Sequence, residues 1–521
     1  AVRNRKTVIF GAFGIFLAVV ILLGPGIKTE YFPHSDQGRL TVSIELNAGT
    51  SQEVTGEFAR NFYNRVREEV PEIKVCSYTF GQADTDNAFA SMQTNGSNII
   101  SMNINLGSME DRKRSSSEIA DIIRADLKEY PEIHKGTVSE GMGGMGGAAS
   151  VAVEIYGYDF QTTDRIANEL RDKMAADPAF AQVTLSRDQY TPEYQVDFDR
   201  VKLAVNGLNS TSAAAAVSAA MSGSVGSYYR EDGEEYSIRV RYAKDYRTSV
   251  EDIENIIIYN ASGKGIRIKD LGRVVETEVP PTIERKNRQR MITVTGVIEG
   301  SHAMSDGITA AQQIIKDTDI PSELSAVIAG DYEDQQDMFK DLITLMILII
   351  ILVYMVMASQ FESFMSPFVI MFSVPFAFVG VVLGLWLTNT ALGVMAMIGI
   401  LILIGIVVKN GIVLIDYLIL LRERGMGILD AAVAAARSRL RPILMTTLTT
   451  VLGMIPMAAG TGEGSEMWKS LGITVAWGLS ISTVVTLILI PTIYCVFATR
   501  QEKRKQKKLA KKAAETAALK A

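Results

Sequence analysis

Long apolar stretches alternate with a mixed polar region along this chain, and the pattern predicts a membrane protein. The stretches cover residues 7–23, 339–357, 366–387, 393–421, 442–459 and 471–497. Each is close to the roughly 20 residues that a helix needs to cross a bilayer. Core helices of a globular protein would be fewer and shorter. We therefore predict six transmembrane helices, and we expect the first to be retained because no small-residue cleavage site follows it.

The polar region between the first two spans changes between strand and helix periodicity. Apolar residues alternate with polar ones over residues 40–46, which is typical of a half-buried strand. Further strands are expected at 75–80 and 99–106. Capping boxes at Thr50–Glu53 and Ser115–Glu118 predict helices that end near residues 69 and 130. This order is typical of a ferredoxin-like unit.

The same order then repeats around an insert. The second set comprises strands at 151–156, 183–186, 291–297 and 326–329 and helices at 163–174 and 305–316. The insert has its own predicted strands (194–198, 236–240 and 256–259) and an alanine-rich helix at 212–221. The glycine-rich residues 141–147 lack the spacing of a phosphate loop, so we expect a flexible connection there.

These patterns predict the following domains: residues 1–24, the first transmembrane helix; 25–148, a first α+β subdomain; 149–189 with 282–332, a second; 190–281, an inserted subdomain; 333–499, a five-helix transmembrane bundle; and 500–521, a basic tail. The predicted fold class is thus a membrane α-helical bundle of six transmembrane helices with a large α+β region.

Basic residues mark one side of the membrane. They precede the first span (Arg3, Arg5, Lys6), lie between the fourth and fifth (Arg422, Arg424, Arg437, Arg439, Arg441) and fill the tail from Arg500 to Lys520. The positive-inside rule places all three groups in the cytoplasm and the large polar region outside. Trp386 and Trp468 then fall at the outer ends of their spans. We interpret the tail as a topology signal, with contact to anionic lipid as the alternative.

Composition excludes several other classes of protein. The two cysteines, Cys76 and Cys495, are too few for a disulfide framework, and the three histidines stand far apart in sequence. We find no nucleophile–base motif, phosphate loop or metal-ligand spacing, so we expect no enzyme activity, metal or cofactor, and no nucleic-acid partner. The chain begins with Ala1, which indicates that it derives from something longer.

Lys409 lies near the middle of the fourth apolar stretch. A charged side chain at that depth costs several kcal/mol unless it has a partner. Snorkelling to the surface is the alternative, but Lys409 is more than two turns from either end. No carboxylate lies inside the other five spans, and Asp416 is too far along the same helix to pair directly. We therefore expect its acidic partner to come from another chain or a missing segment.

Several motifs resemble those of one transporter family. They are FPHSDQG within residues 24–38, the segment 197–242, SQFESFMSP at 359–367, Lys409–Asn410, and RLRPILMTTL at 439–448. Together they resemble resistance–nodulation–division (RND) efflux pumps, most closely the hydrophobe/amphiphile exporters of Gram-negative inner membranes. The resemblance covers essentially the whole chain.

The resemblance implies the C-terminal half of a twelve-span subunit. The two ferredoxin-like units would be periplasmic porter subdomains, and the insert would be half of the docking (funnel) domain. The whole protein would be a homotrimer in the inner membrane, with both ends of this segment in the cytoplasm. It would join a periplasmic adaptor and an outer-membrane channel and export hydrophobic or amphiphilic compounds, with protons as the coupling ion.

The resemblance also implies site residues. Lys409, Arg439 and Thr446 match a proton relay whose two aspartates lie in the missing N-terminal half. Arg439 could instead be only a topology charge, and Thr446 could simply bond its own helix. Gly405, one turn before Lys409, leaves room for a neighbouring helix or water. Gly380 and Gly384 form a GxxxG motif that predicts close helix packing.

Substrate contacts are less sharply indicated. Tyr78, Phe80 and Phe89 match the region whose aromatic residues line the drug pocket of the relatives, but each could equally be a core residue. Met142 and Met145 resemble the methionine relays of metal-exporting relatives, although two methionines among glycines are more typical of a flexible loop.

Other functions stay open at this point. One is a membrane-anchored periplasmic receptor or scaffold without transport, for which one or two spans would suffice. Another is a heavy-metal or protein-export relative of the same superfamily. The motifs of the protein-export relatives differ from FPHSDQG and from the RLRP run.

Overall fold

A computed structural model describes residues 4–81, 96–141, 149–187, 189–280, 282–299, 302–460 and 464–518 of the chain. The chain divides into two units, each described here by itself. The main body comprises Ala1–Asn47, Ser51–Ser186 and Glu284–Ala521, and the insert comprises Ala48–Thr50 and Arg187–Ile283.

The described helices are α1 (Arg5–Leu23), α2 (Gln52–Glu69), α3 (Ser116–Leu127), α4 (Phe160–Ala176), α5 (Arg200–Val205), α6 (Ser210–Met221), α7 (Val250–Glu254), α8 (Ile268–Leu271), α9 (Met304–Lys316), α10 (Asp331–Gln360), α11 (Met365–Met371), α12 (Ser373–Leu387), α13 (Val394–Glu423), α14 (Ile428–Ala459) and α15 (Glu466–Ala518). The described strands are β1 (Arg39–Leu46), β2 (Val75–Gly81), β3 (Gly96–Asn105), β4 (Ile133–Glu140), β5 (Ser150–Tyr156), β6 (Phe180–Leu185), β7 (Thr191–Phe198), β8 (Ser224–Glu231), β9 (Glu234–Val240), β10 (Ile257–Tyr259), β11 (Gly265–Arg267), β12 (Gly272–Val279), β13 (Glu284–Lys286), β14 (Gln289–Ile298) and β15 (Ser325–Ala329).

The first α/β unit of the main body contains β1–β4, α2 and α3. Its antiparallel sheet has the order β2-β3-β1-β4, which is the ferredoxin-like arrangement. Every second residue of β1 is buried, including Val42 and Ile44, and these pack with Phe62 of α2 and Ile119 of α3. Sequence analysis missed β4, because Val138 is its only fully buried large apolar residue and the period-2 signal is weak.

The two predicted capping boxes have different outcomes. The box at Ser115 and Glu118 is confirmed, since each side chain accepts a hydrogen bond from the other residue's backbone N–H. The box at Thr50 is wrong by one residue. Ser51 caps α2, and its hydroxyl accepts from the N–H of Val54 at 3.4 Å. Neighbouring residues of similar capping preference are hard to separate from sequence alone.

The second α/β unit repeats this arrangement with β5, α4, β6, β14, α9 and β15. Its strands lie in the order β15-β5-β14-β6, and the short β13 extends the same edge of β14. All pairs are antiparallel, so this is again the ferredoxin-like order. Strand β5 is buried on both faces, and Asp331, the first residue of α10, bonds Ser150 at its start. The second span therefore begins directly on this sheet.

The insert has three small two-stranded sheets, formed by β7 with β12, β8 with β9, and β10 with β11. Its core includes Leu203, Ala213, Ile256, Ile268 and Leu271. Every residue of β8 and β9 is exposed. Sequence analysis missed β8, β11 and β12, because strands that are short or exposed carry no clear alternation of apolar and polar positions.

Within the described part of the chain, six helical segments are long and apolar enough to cross a membrane, as predicted. They are Arg5–Gly26, Asp331–Gln360, Met365–Leu387, Val394–Glu423, Ile428–Ala459 and Glu466–Glu502. The fifth differs from the prediction at its N-terminal end. Helix α14 already begins at Ile428, so Arg437, Arg439 and Arg441 lie within a helix and not in a loop. The alanine-rich run before them favours helix, and the chain continues as helix through Pro442.

Helix α15 lies at the centre of the bundle and packs against α12, α13 and α14. The predicted close packing at Gly380 and Gly384 of α12 is confirmed. A Cβ atom at Gly380 would lie 2.5 Å from the carbonyl oxygen of Trp477, and one at Gly384 would lie 2.6 Å from the Trp477 Cβ. The two glycines therefore let the backbones of α12 and α15 approach each other.

We expect the replacement Gly380→Ala to destabilise the bundle by about 1–3 kcal/mol, because the new methyl group would meet backbone atoms that cannot move independently. The measurement is the thermal unfolding midpoint of the purified protein in detergent. Gly453→Ala is the matched control, since nothing lies within 4 Å of a Cβ at Gly453 of α14. A Gly380→Ala midpoint equal to that of the control would contradict the expectation.

Candidate functional site

Helix α13 carries a stripe of exposed residues in its spanning region. Ile402, Gly405, Lys409 and Asp416 follow one another at helical spacing, and all are exposed. Leu403, Val407 and Leu414 on the other side are buried against the bundle. Nothing lies within 4 Å of a Cβ placed at Gly405. These four exposed residues, here called the Lys409 stripe, are therefore not covered by the described part of this chain.

Lys409 lies near the middle of this 30-residue helix. Among the residues that the structure describes, no carboxylate forms an ion pair with its ammonium group. Asp416 shares the stripe but is seven residues away, about 10 Å along the axis. The Lys409 stripe thus presents one cation and one anion that do not neutralise each other.

Asn410, the next residue along, points into the bundle and is buried. Its side-chain amide donates to the hydroxyl of Thr483 on α15 at 3.5 Å, and that hydroxyl lies 3.1 Å from the hydroxyl of Thr447 on α14. All three residues are less than a tenth exposed. This polar cluster joins α13, α14 and α15 directly behind Lys409 and fixes the helix on which the lysine lies.

Sequence analysis did not single out this cluster. An amide side chain within a membrane span was the available clue, because such groups bond across helices. Thr483 lies 73 residues from Asn410 and 36 residues from Thr447, so the identity of these partners depends on the fold.

Thr446 lies on the exposed side of α14. Its hydroxyl donates to the carbonyl oxygen of Ile443 at 3.0 Å, which is the helix-backbone bond considered as its alternative role. Because Asn410 and Thr447 both meet Thr483, their neighbours Lys409 and Thr446 lie at a similar depth in the bundle. The structure therefore places two of the three predicted relay residues, Lys409 and Thr446, at a similar depth in the helix bundle.

Arg439 lies seven residues before Thr446 on α14, about 10 Å nearer the N-terminus of the helix. Its guanidinium carbon lies 4.5 Å from the ring centroid of Tyr417 on α13, a cation–π contact. Arg439 is half-buried, whereas Arg437 and Arg441 are exposed. Its position thus differs from that of the two flanking arginines.

Two of the three predicted substrate residues, Tyr78 and Phe80, belong to the first α/β unit. The ring of Tyr78 lies 5.5 Å from Tyr63 and 6.5 Å from Phe80, and Tyr78 packs against the core. Phe80 is 39% exposed and its ring covers Gly56 of α2. Phe89, like Met142 and Met145, lies outside the described residues. Tyr78 and Phe80 therefore form one aromatic surface beside the edge strand β2.

Comparison with known proteins gives a consistent result. The sequence profile of the AcrB/AcrD/AcrF family matches residues 1–498. A multidrug resistance protein MdtC from Serratia proteamaculans is 26% identical over 503 residues, which cover 95% of this chain and 48% of MdtC. MdtC from Photorhabdus laumondii is 26% identical over 92% of the chain and 46% of its own length. The swarming motility protein SwrC of Bacillus subtilis is 32% identical over 60% of the chain and 30% of its own length.

Solved structures share the fold. A crystal structure of a heavy metal efflux pump superposes with a TM-score of 0.74 at 24% identity, and the match covers 95% of this chain and 50% of the pump. The chain spans about half the length of the MdtC relatives and of this pump. The profile match, the relatives and the shared architecture lead to one conclusion: the chain belongs to the AcrB/AcrD/AcrF family of RND transporters.

Proposed function

We propose that this chain supplies one half of a proton-driven exporter of hydrophobic or amphiphilic compounds. The observation that carries the proposal is Lys409, a cation near the middle of a spanning helix with no carboxylate partner in the described chain. Such a group needs an acidic partner or loses its charge. The multidrug resistance proteins among its relatives support the class of substrate.

The Lys409 stripe is the surface on which the missing half would pack. A stripe with a lysine, an aspartate and an uncovered glycine is a poor surface for lipid tails. It is a good surface for a second helix, because Gly405 offers close approach and Lys409 offers a charge to pair. Relatives of about twice this length contain enough chain for such a half. We propose that it contributes the two aspartates of the relay.

The coupling would use the change in charge of those aspartates. Ionised, they attract Lys409 and hold the helices of the two halves together. Protonated from the outer side, they lose that attraction, and the helices can shift relative to each other. The cluster of Asn410, Thr447 and Thr483 ties α13 to α14 and α15, so a shift of Lys409 would move these helices together. Thr446, beside Lys409, and Arg439, nearer the inner side, would serve the same proton relay.

The remaining assignments follow from the family. The two α/β units would be periplasmic porter subdomains, and the insert would belong to the docking domain. The whole protein would be a homotrimer in the inner membrane of a Gram-negative cell, with a periplasmic adaptor and an outer-membrane channel as partners. Tyr78, Phe80 and Phe89 would contribute to a substrate surface. Protons would be the only coupling species, without a bound cofactor.

The proposal is tested by reconstitution of the transporter into vesicles. The chain together with its other half should take up protons when a hydrophobic dye is exported, as followed by a pH-sensitive probe inside the vesicle. The chain alone should give no dye-dependent proton movement, because Lys409 lacks its partner. Coupled transport by the chain alone would contradict the proposal, and so would dye export by the two halves without proton movement.

A further inference from the structure

Residues 28–34, here called the strap, connect the outer end of the first span to β1. The strap contacts the loop between α12 and α13 through its backbone. The N–H of Leu392 donates to the carbonyl oxygen of Lys28 at 2.8 Å, and the N–H of Val394 donates to that of Tyr31 at 3.2 Å. Val394 is the first residue of α13, so the strap caps the helix that carries Lys409.

The strap also holds both α/β units. Lys28 forms an ion pair with Asp306 of α9 at 2.8 Å, and His34 bonds Glu140 of β4 at 2.9 Å. Gly393, the N-cap of α13, lies against it: a Cβ there would be 3.1 Å from the Cγ atom of Glu30. Seven residues thus join the two α/β units to the start of one spanning helix.

A cavity of about 70 Å³ lies between the strap and the two α/β units. Glu30, Phe32 and His34 line it from the strap. A volume of this size admits a few water molecules, so protons can reach it from outside. His34 is accessible, with its side chain 42% exposed, whereas its partner Glu140 is only 2% exposed.

Charged groups face Glu30 and His34 from every element around them. They are Arg124 of α3, Glu140 of β4, Glu299 and His302 before α9, Asp36 after the strap, and Glu466 at the start of α15. Asp331 and Asp334 of α10 act on the neighbouring Tyr31. Acidic groups outnumber basic ones here, and Glu140, Asp36 and Glu466 favour the charged form of His34.

We propose that Glu30 and His34 form a second proton-binding site, outside the membrane and separate from Lys409, that holds the strap on the start of α13 when the outer side is acidic. Its use in a transport cycle rests on the proposed function. The proton site itself rests on the cavity, the strap contacts and the surrounding charges.

The protonation equilibria of both groups support the same direction. Burial raises the pKa of Glu30 from its ordinary 4.5 to about 7, against the opposing effect of His34. The hydrogen bond to Glu140 raises the pKa of His34. Glu30 is therefore neutral and His34 charged on the acidic side. As the pH rises through about 7, Glu30 acquires a charge in a partly buried place. His34 loses the charge that Glu140 favours at a pH above its ordinary range. Both changes weaken the docked strap as the pH rises.

Hydrogen–deuterium exchange of the intact purified transporter tests this inference. The readout is the protection of the Leu392 and Val394 amides, corrected for the intrinsic pH dependence of exchange. For Glu30 alone, the two pKa values predict about a tenfold loss of protection between pH 6 and pH 8. Glu30→Gln should lose this tenfold step and retain only the change that comes from His34, because the amide stays neutral at both pH values. His34→Gln should reduce the change, since it removes the second proton.

Two further variants keep the test decisive. Glu30→Asp retains a carboxylate and should retain a pH step, which separates loss of titration from damage to the strap. Glu68→Gln, at an exposed position of α2, is the control and should behave as the wild type. An unchanged step in Glu30→Gln, a flat wild-type profile, or an equally flat Glu68→Gln profile would each overturn the assignment.

The outcome is separable from that of the proposed function. A protein that shows the Glu30-dependent step but no proton-coupled export supports this site and contradicts the transport proposal. A protein that exports with proton coupling but shows no step supports the transport proposal and overturns this site.

Discussion

Replacement of Lys409 by methionine is expected to abolish proton-coupled export while leaving the fold intact. Methionine has a similar length and no charge, and the position is exposed on the stripe of α13, so packing within this chain changes little. The lost attraction to the proposed aspartates is worth several kcal/mol in a membrane interior. We therefore expect coupled dye export to fall by about 100-fold or more, since each 1.4 kcal/mol corresponds to a factor of ten.

The measurement is dye efflux and proton uptake by vesicles that contain the intact transporter. Lys340→Met is the matched control, because Lys340 is an exposed lysine in the N-terminal part of α10. Lys409→Arg keeps the charge and should retain part of the activity, although the guanidinium geometry differs from that of an ammonium group. Wild-type coupling in Lys409→Met would show that this lysine only reaches the membrane surface, as in the snorkelling alternative.

Replacement of Asp36 by alanine is expected to unfold the first α/β unit more readily, by about 3–5 kcal/mol. Asp36, within the FPHSDQG motif, accepts hydrogen bonds from the backbone N–H of Gly38 at 3.0 Å and of Ser116 at 2.9 Å. It also bonds the guanidinium of Arg112 and the hydroxyl of Ser116. The Arg112 side chain is 1% exposed, so the variant would leave a buried cation without its counter-ion.

Asp111→Ala provides the matched control for this variant. Asp111 also forms an ion pair, with Lys74 at 2.5 Å, but both side chains are more than half exposed. Exposed pairs contribute about 0–1 kcal/mol, so the control should lose little stability. The free energy of unfolding can be read from exchange of the β1 amides, which lie in the core sheet of the unit. Equal losses in the two variants would contradict the role given to Asp36.

The ion pair between Asp36 and Arg112 also predicts that the stability of the first α/β unit depends on pH. Burial alone would raise the pKa of Asp36, but the hydrogen bonds from Arg112 and Ser116 outweigh it and lower the pKa from 3.8 to about 2. The lowered pKa means that this stabilisation is present above about pH 4 and is lost as the pH falls towards 2. The Asp36→Ala variant should lack this acid-dependent component, whereas Asp111→Ala should retain it.

The spanning helices could be predicted because their signal is local. Each apolar run is long enough by itself to identify a span, and glycine spacing was enough to predict close packing at Gly380 and Gly384. The residue at which α14 begins was harder to predict, because the alanine-rich residues before Pro442 are only weakly apolar. Strand β4 of the first α/β unit and strand β12 of the insert escaped prediction, since their burial comes from one strand face or from pairing with another strand.

The residues of the candidate site likewise differ in whether the sequence alone indicates them. Lys409 is conspicuous in the sequence because a lone charge in an apolar run is rare. The contact of Arg439 with Tyr417 and the bonds among Asn410, Thr447 and Thr483 join helices that are distant in sequence, so no local pattern indicates them. The strap is a further example: His34 lies in the FPHSDQG motif, but no local pattern links it to Glu30 until Leu392, Glu140 and Glu299 are brought around them.

By itself, the sequence determined that this chain has six membrane spans, two repeated ferredoxin-like units around an insert, and an isolated lysine in the fourth span. Length, periodicity and charge are properties of consecutive residues, and they specify elements before any contact forms. The tertiary structure alone decided which side of α13 is uncovered, which polar groups support Lys409 from behind, and that the strap caps its helix. These depend on packing between distant segments, where burial and partner together set the energy of every polar group.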